Sequence, residues 1–345
     1  MSSFKSPVFA ASSSVPYQSG SPAQEPKDTK PLVPVWARNV AIHSVQLAVS
    51  GAVTGALCDI AAHPFYNLSN QVMMQGAKPE GTQYKGVMDG LPGIYRKDGV
   101  KGLFRGLPVV LSAAPPAMGL LFMGMFGTQE AYKGSKLESW ATRKWGTEAS
   151  SFAVNFTSGY MGQIFGSLFF VPSSVISETQ QAKGFNATFE KLSMSQTIAR
   201  VYQMGGIRGF YKGFIPQVAS FGTCHALSVP GYKKVHKELE ALGYIGPLAN
   251  ITSGVLGYAI GSVLTHPLAV AKTRLQVAKI NPERFPETNT FSALTGIVKR
   301  EGVQGLFRGV SARTSFIALR LGVGIPVAGI AQQKLKEIFE PSPSV

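Results

Sequence analysis

The chain has 345 residues with a formal net charge of +15, yet only 15% of them are charged, 45% are hydrophobic and 38 are glycine. That balance excludes both an ordinary water-soluble domain and a disordered chain. The charge does not describe a nucleic-acid surface either, because 18 of the 33 basic residues lie in 66–105, 174–212 and 269–308 and only seven in the links 129–148 and 230–246. An excess on one side is what anionic lipid and topological bias produce.

Residues 1–36 are rich in Ser, Pro and Ala, with neither an apolar signal core nor an arginine, so 1–37 are expected to form a disordered tail. Stretches 39–58, 106–129, 149–177, 213–232 and 241–271 then lack Asp, Glu, Lys and Arg, and 314–333 carries only Arg320. Each is long enough to cross about 30 Å of hydrocarbon, and six crossings put both termini on one side. Cys58 and Cys224 fall in such stretches without ligand spacing, which disfavours zinc, haem or a disulfide.

Three segments repeat one layout: repeat 1 at 38–137, repeat 2 at 138–240 and repeat 3 at 241–338, with a short tail at 339–345. Each opens on a long apolar helix, in the first from about Ala41 to Met74, which Pro64, Pro172 or Pro267 is expected to kink. Gly51 with Gly55, Gly162 with Gly166 and Gly257 with Gly261 are expected to let helices approach closely. A polar link and a short amphipathic helix follow, at Val87–Lys97 and about 193–204 and 290–300. The repeats close on near-identical strings, Gly-Val-Lys-Gly-Leu-Phe-Arg-Gly at 99–106, Gly-Ile-Arg-Gly-Phe-Tyr-Lys-Gly at 206–213 and Gly-Val-Gln-Gly-Leu-Phe-Arg-Gly at 302–309. Their basic ends, Arg105-Gly106, Lys212-Gly213 and Arg308-Gly309, open the next span and suit anionic, cardiolipin-like headgroups.

A kink proline, a surface helix and a closing aromatic-basic-Gly string, three times over, resemble the mitochondrial carrier family across about residues 39–337. The resemblance implies an all-α membrane protein, six helices in a pseudo-threefold barrel, and alternating-access transport by a monomeric unit. It also implies the mitochondrial inner membrane, with the outer membrane and peroxisome as alternatives. The family signature Pro-x-acid-x-x-base is degenerate here: the acid is missing three times and Lys272 is the one base left. No ion pair is expected from the signature positions. The gate residues it implies are Pro64, Tyr66, Ser69, Pro172, Ser174, Ser177, Pro267 and Lys272, with Lys272 donating to Ser69, Ser177 or Tyr66. Such a weakened gate favours uniport over strict exchange. Glu178, one residue past the usual gate base, is expected in solvent or among headgroups.

Seven residues past the closing glycines, the resemblance carries solute contacts to Ala113, Ser220 with Phe221, and Phe316. Arg313, Phe316 and Arg320 share one helical face, and arginines at membrane depth need an anion or water. Asp59, five residues before Pro64, either binds the amine of a solute or pairs with one of these arginines. The expected solute is a small carboxylate or amino-acid-like metabolite. His225, near Ser220, is a candidate titrating group. No enzyme motif, cofactor or metal site is expected, and the competing reading is a non-transporting docking or fusion factor on the same fold.

Overall fold

The computed structural model describes residues 35–76, 84–182, 192–278, 282 and 285–320, with the backbone alone at 35–52, 229–230 and 247. The described residues are helical and include no strand. In chain order they form α1 (Val35–Met74), α2 (Val87–Leu103), α3 (Leu107–Tyr132), α4 (Lys136–Gln181), α5 (Met194–Phe210), α6 (Phe214–Ala241), α7 (Pro247–Leu264), α8 (His266–Val277) and α9 (Thr290–Glu301). A 3-10 turn (Val303–Phe307) follows, then α10, described over 310–320. The expected disordered tail 1–37 lies almost wholly outside the described residues, as does most of the sixth expected span.

The prolines act unequally. The assigned helices α1 and α4 run through Pro64 and Pro172, whereas the third repeat breaks at Thr265 and α7 meets α8 at 64°. By length and composition α3 is long and apolar enough to cross a membrane, as is the bent pair α7–α8 taken together. The short helices reach further than expected, to Leu103 and Phe210 in repeats 1 and 2, although each carries a kink at Gly99 (φ 65°) or Gly206 (φ 56°). Asn289 and Ser193 cap α9 and α5 by accepting from Ser292 N and Gln196 N. At α2 the cap is reversed, Asp89 accepting from the amides of Lys85 and Gly86 at 2.7 and 2.8 Å. Those amide bonds hold the Asp89 carboxyl below its ordinary range.

Glycine spacing sets the contacts between repeats. A Cβ at Gly162 would lie 2.8 Å from Leu121 O, and one at Gly261 2.7 Å from Cys224 O, so α4 and α7 approach α3 and α6 backbone to backbone. Gly55 differs from expectation, as its Cβ would meet nothing within 4 Å. The closing glycines form a cycle. Gly106 (φ 85°) sits against Ser177 of repeat 2, Gly213 (φ 76°) against Lys272 of repeat 3 and Gly309 (φ 82°) against Ser69 of repeat 1. Each contact falls five residues past the next repeat's proline. Positive φ and lack of a side chain are both needed there.

Candidate functional site

At the proline end, the long helices of the three repeats are tied together by polar side chains. From α1 to α4, Asn70 donates to Gln181 Oε1 at 2.8 Å, and Gln181 donates to Ser177 Oγ and Arg105 O at 3.2 and 3.1 Å. From α4 to α8, Lys272 donates to Glu178 in a short ion pair, and Gln276 lies 2.8 Å from Ser174 Oγ. Turning the Gln276 amide lets it donate to Glu178 while accepting from Ser174. From α8 back to α1, Arg274 Nε donates to Met73 O at 3.0 Å and Nη2 to Gln75 O at 3.2 Å. All three interfaces of a threefold ring are thus bonded. The residues are buried, with Ser177, Glu178 and Gln181 at 0% exposure.

Two expectations change here. Glu178 is buried rather than solvated, and from outside the signature positions it forms an inter-repeat ion pair with Lys272. The ring combines residues six and nine past the prolines, Asn70, Glu178, Gln181 and Gln276, with the signature positions Ser174, Ser177 and Lys272 and with Arg274. Lys272 donates to Glu178 in place of Ser69, Ser177 or Tyr66. Burial makes this pair costly to halve: removing one partner strands a charge in a dry interior.

Beside the ring, Arg274 also forks onto Glu301, which reaches Arg308 Nε at 3.2 Å. In repeat 1 Asp98 meets Arg105 at 3.4 Å. Repeat 2 has Thr179 and Gly205 at the corresponding places, and a small cavity there is lined by Val175, Thr179, Val201, Lys212 and Gln276. Of the three basic residues expected at headgroups, two therefore have an acid within their own repeat. His63 and His266 each place Nε2 2.9 Å from the carbonyl of Arg105 or Arg308, locking the long helix to the closing string.

One helical turn and more above the ring lies the central cluster. Arg320 Nε donates to Asp59 Oδ1 at 2.9 Å, so Asp59 pairs with an arginine of the last span. Phe316 stacks between them and the ring, 5.3 Å from Tyr66 and 5.9 Å from the Arg320 guanidinium carbon. Arg313, 7% exposed, lies 3.5 Å from Ser220 Oγ and 5.7 Å from the Phe221 ring. His225 Nδ1 is 2.8 Å from Phe221 O and 3.4 Å from Gln163 Nε2, and its ring is edge-on to Tyr258. The structure therefore brings together Asp59, Tyr66, Ser220, Phe221, Arg313, Phe316 and Arg320. Ala113 is half-buried on α3 and adds no polar group.

Sequence reading missed Asn70, Gln181, Gln276, Gln163 and Tyr258. The available signal was polarity in apolar helices: residues six past the prolines are Asn70, Glu178 and Thr273, and nine past two of them are Gln181 and Gln276. Among the described residues no cluster of metal-ligating side chains occurs.

Three helical modules closed head to tail, with a polar cluster above a bonded ring, define a membrane transporter of threefold design. The family model for the mitochondrial carrier protein matches residues 41–136, 148–241 and 244–334, and the chain belongs to that family. Among its relatives, mitochondrial substrate carrier family protein E of Dictyostelium discoideum is 29% identical over 86% of this chain and 97% of its own length. The peroxisomal adenine nucleotide transporter 1 of Saccharomyces cerevisiae is 24% identical over 86% and 94%. A mitochondrial adenyl nucleotide antiporter of Bos taurus is 24% identical over 80% of this chain and 55% of its own length. Members of this family are transporters rather than enzymes.

Proposed function

We propose that this chain moves a small anionic or zwitterionic metabolite, carboxylate or amino-acid-like, across the mitochondrial inner membrane by alternating access. Its six spans enclose one central site in a pseudo-threefold barrel that works as a monomeric unit. The observation that carries this reading is the closed ring of Asn70–Gln181, Glu178–Lys272 and Arg274–Met73 beneath the Asp59, Arg313 and Arg320 cluster. A polar site closed at one end by breakable links is the arrangement that alternating access requires. The ring is the gate on the matrix side, with Pro64, Tyr66, Ser69, Pro172, Ser174, Ser177, Pro267 and Lys272 in or beside it. A single ion pair among its inter-repeat links favours net uniport.

Anionic headgroups bind at the helix starts opened by Gly106, Gly213 and Gly309, with Lys212 the basic side chain lacking an acid at the Asp98 and Glu301 position. Two of the three relatives described above bear nucleotide names. Ala113 and the neutralised Arg320 give a phosphate chain little charge to bind. Uptake of labelled amino acids, carboxylates and nucleotides into liposomes containing the purified chain tests the proposal. Saturable uptake of one class, lost in Arg320→Ala, supports it; a folded chain that takes up none of them overturns it.

A further inference from the structure

The two arginines of the central cluster differ in what surrounds them. Arg320 is answered by Asp59 at 2.9 Å. Arg313 is 7% exposed, its Nη1 is buried without an acceptor, and its Nη2 reaches only the neutral Ser220 Oγ at 3.5 Å. Phe221 covers its face at 5.7 Å. No carboxylate bonds to it among the described residues. A buried guanidinium held this way is costly until an anion reaches it.

The surroundings of Arg313 match an acid group in shape as well as charge. Ser220 Oγ donates to Thr265 O at 3.4 Å, and Thr265 is the corner where α7 gives way to the 12-residue α8 at 64°. At the start of α8 Pro267 has no N–H and the Ala269 N–H is bonded to Thr265 O, so the donor at this corner left for an anion is the Arg313 guanidinium. Nη1 and Nη2 form the end of a planar fork, which suits the two oxygens of a carboxylate.

We infer that Arg313 holds the single acid group of the solute at the α7–α8 corner, and that the Asp59–Arg320 pair excludes a second acid, so the solute is a monocarboxylate. The inference rests on the carrier reading only in taking the ligand to be the transported solute. Within the described cluster Asp59 cancels Arg320 and Glu178 cancels Lys272, which leaves Arg313 as its one unbalanced charge. Asp59 is already occupied, so an ammonium on the solute adds nothing.

Butyrate, 4-aminobutyrate and glutarate, at matched ionic strength, test this through the thermal shift each gives the purified full chain. Butyrate should stabilise the parent most. In Asp59→Asn, Arg320 is released and the largest shift should pass to glutarate. Arg313→Gln should weaken apparent butyrate affinity at least about tenfold, and Arg313→Lys should recover part of it, since it restores the charge without the fork. Should Arg313→Gln fail to fold, the Asp59→Asn switch decides alone. Equal shifts in Arg313→Gln and the parent would overturn the inference, as would a parent preference for glutarate or 4-aminobutyrate. Butyrate binding without uptake in liposomes would overturn the carrier reading and leave the acid site standing. Carboxylate uptake unimpaired in Arg313→Gln would do the reverse.

Discussion

The two ends of the helical assembly are held by different kinds of bond. At the proline end, side chains cross between non-neighbouring spans: α1 to α4, α4 to α8 and α8 to α1, all buried. At the far end, the described hydrogen bonds join spans adjacent in the chain. Gln129 reaches Asn155 and Ser158 at 3.4 and 3.3 Å, Tyr132 reaches Ser150 at 2.5 Å, and Tyr232 donates to Asn250 at 2.9 Å. Bonds along a wall hold its staves side by side, whereas bonds across the axis close the interior. Among the described residues, cross-axis bonds therefore occur at the proline end and wall bonds at the other.

Breaking the shut end should cost most. Lys272→Ala strands buried Glu178 and should lower stability by about 3–5 kcal/mol, whereas joint replacement by Lys272→Met and Glu178→Leu should cost far less, both read by thermal unfolding of the purified chain. Gly106→Ala forces an L side chain into φ 85° with its Cβ 2.3 Å from Ser177 Oγ, and the backbone alone should contribute about 1–2 kcal/mol. Asn70→Ala leaves the Gln181 carbonyl without its donor and should cost about 1–3 kcal/mol, against about 1 kcal/mol or less for Gln129→Ala in the wall. Reversing that order would dissolve the contrast between the ends.

The smallest effect belongs to neither end. Asp89 caps an exposed surface helix, and its folded carboxyl titrates below the unfolded one. Its contribution is therefore present above the unfolded value and lost as pH falls through the folded one. Asp89→Asn should flatten that acid limb slightly without altering uptake at neutral pH, as pH-dependent melting would register.

Repeat architecture was legible because it is written in backbone chemistry. Glycines needed at positive φ, Gly99, Gly206 and Gly302, and the closing Gly106, Gly213 and Gly309, recur wherever the chain turns in the same way. Asp59, Arg313 and Arg320 were legible because charge in an apolar stretch demands a partner. Which arginine Asp59 takes was not, since i, i+3 and i+7 spacing gives a shared face but no depth. Glu178 was misread for a related reason. Glu178 lies one position past the signature base, so local register argued against it, yet its partner Lys272 comes from another repeat and only packing brings the two together. A motif tests positions within a segment; it is blind to an acid displaced by one residue whose partner lies in another segment.

The central claim is that the Glu178–Lys272 pair belongs to a gate that opens during transport. Charge reversal tests it most directly, with initial uptake measured in liposomes for Glu178→Lys, Lys272→Glu and both together. Each single reversal places like charges in the ring and should lower uptake at least about tenfold, while the double reversal should recover most of it. Single reversals that fold and transport like the parent would contradict the account.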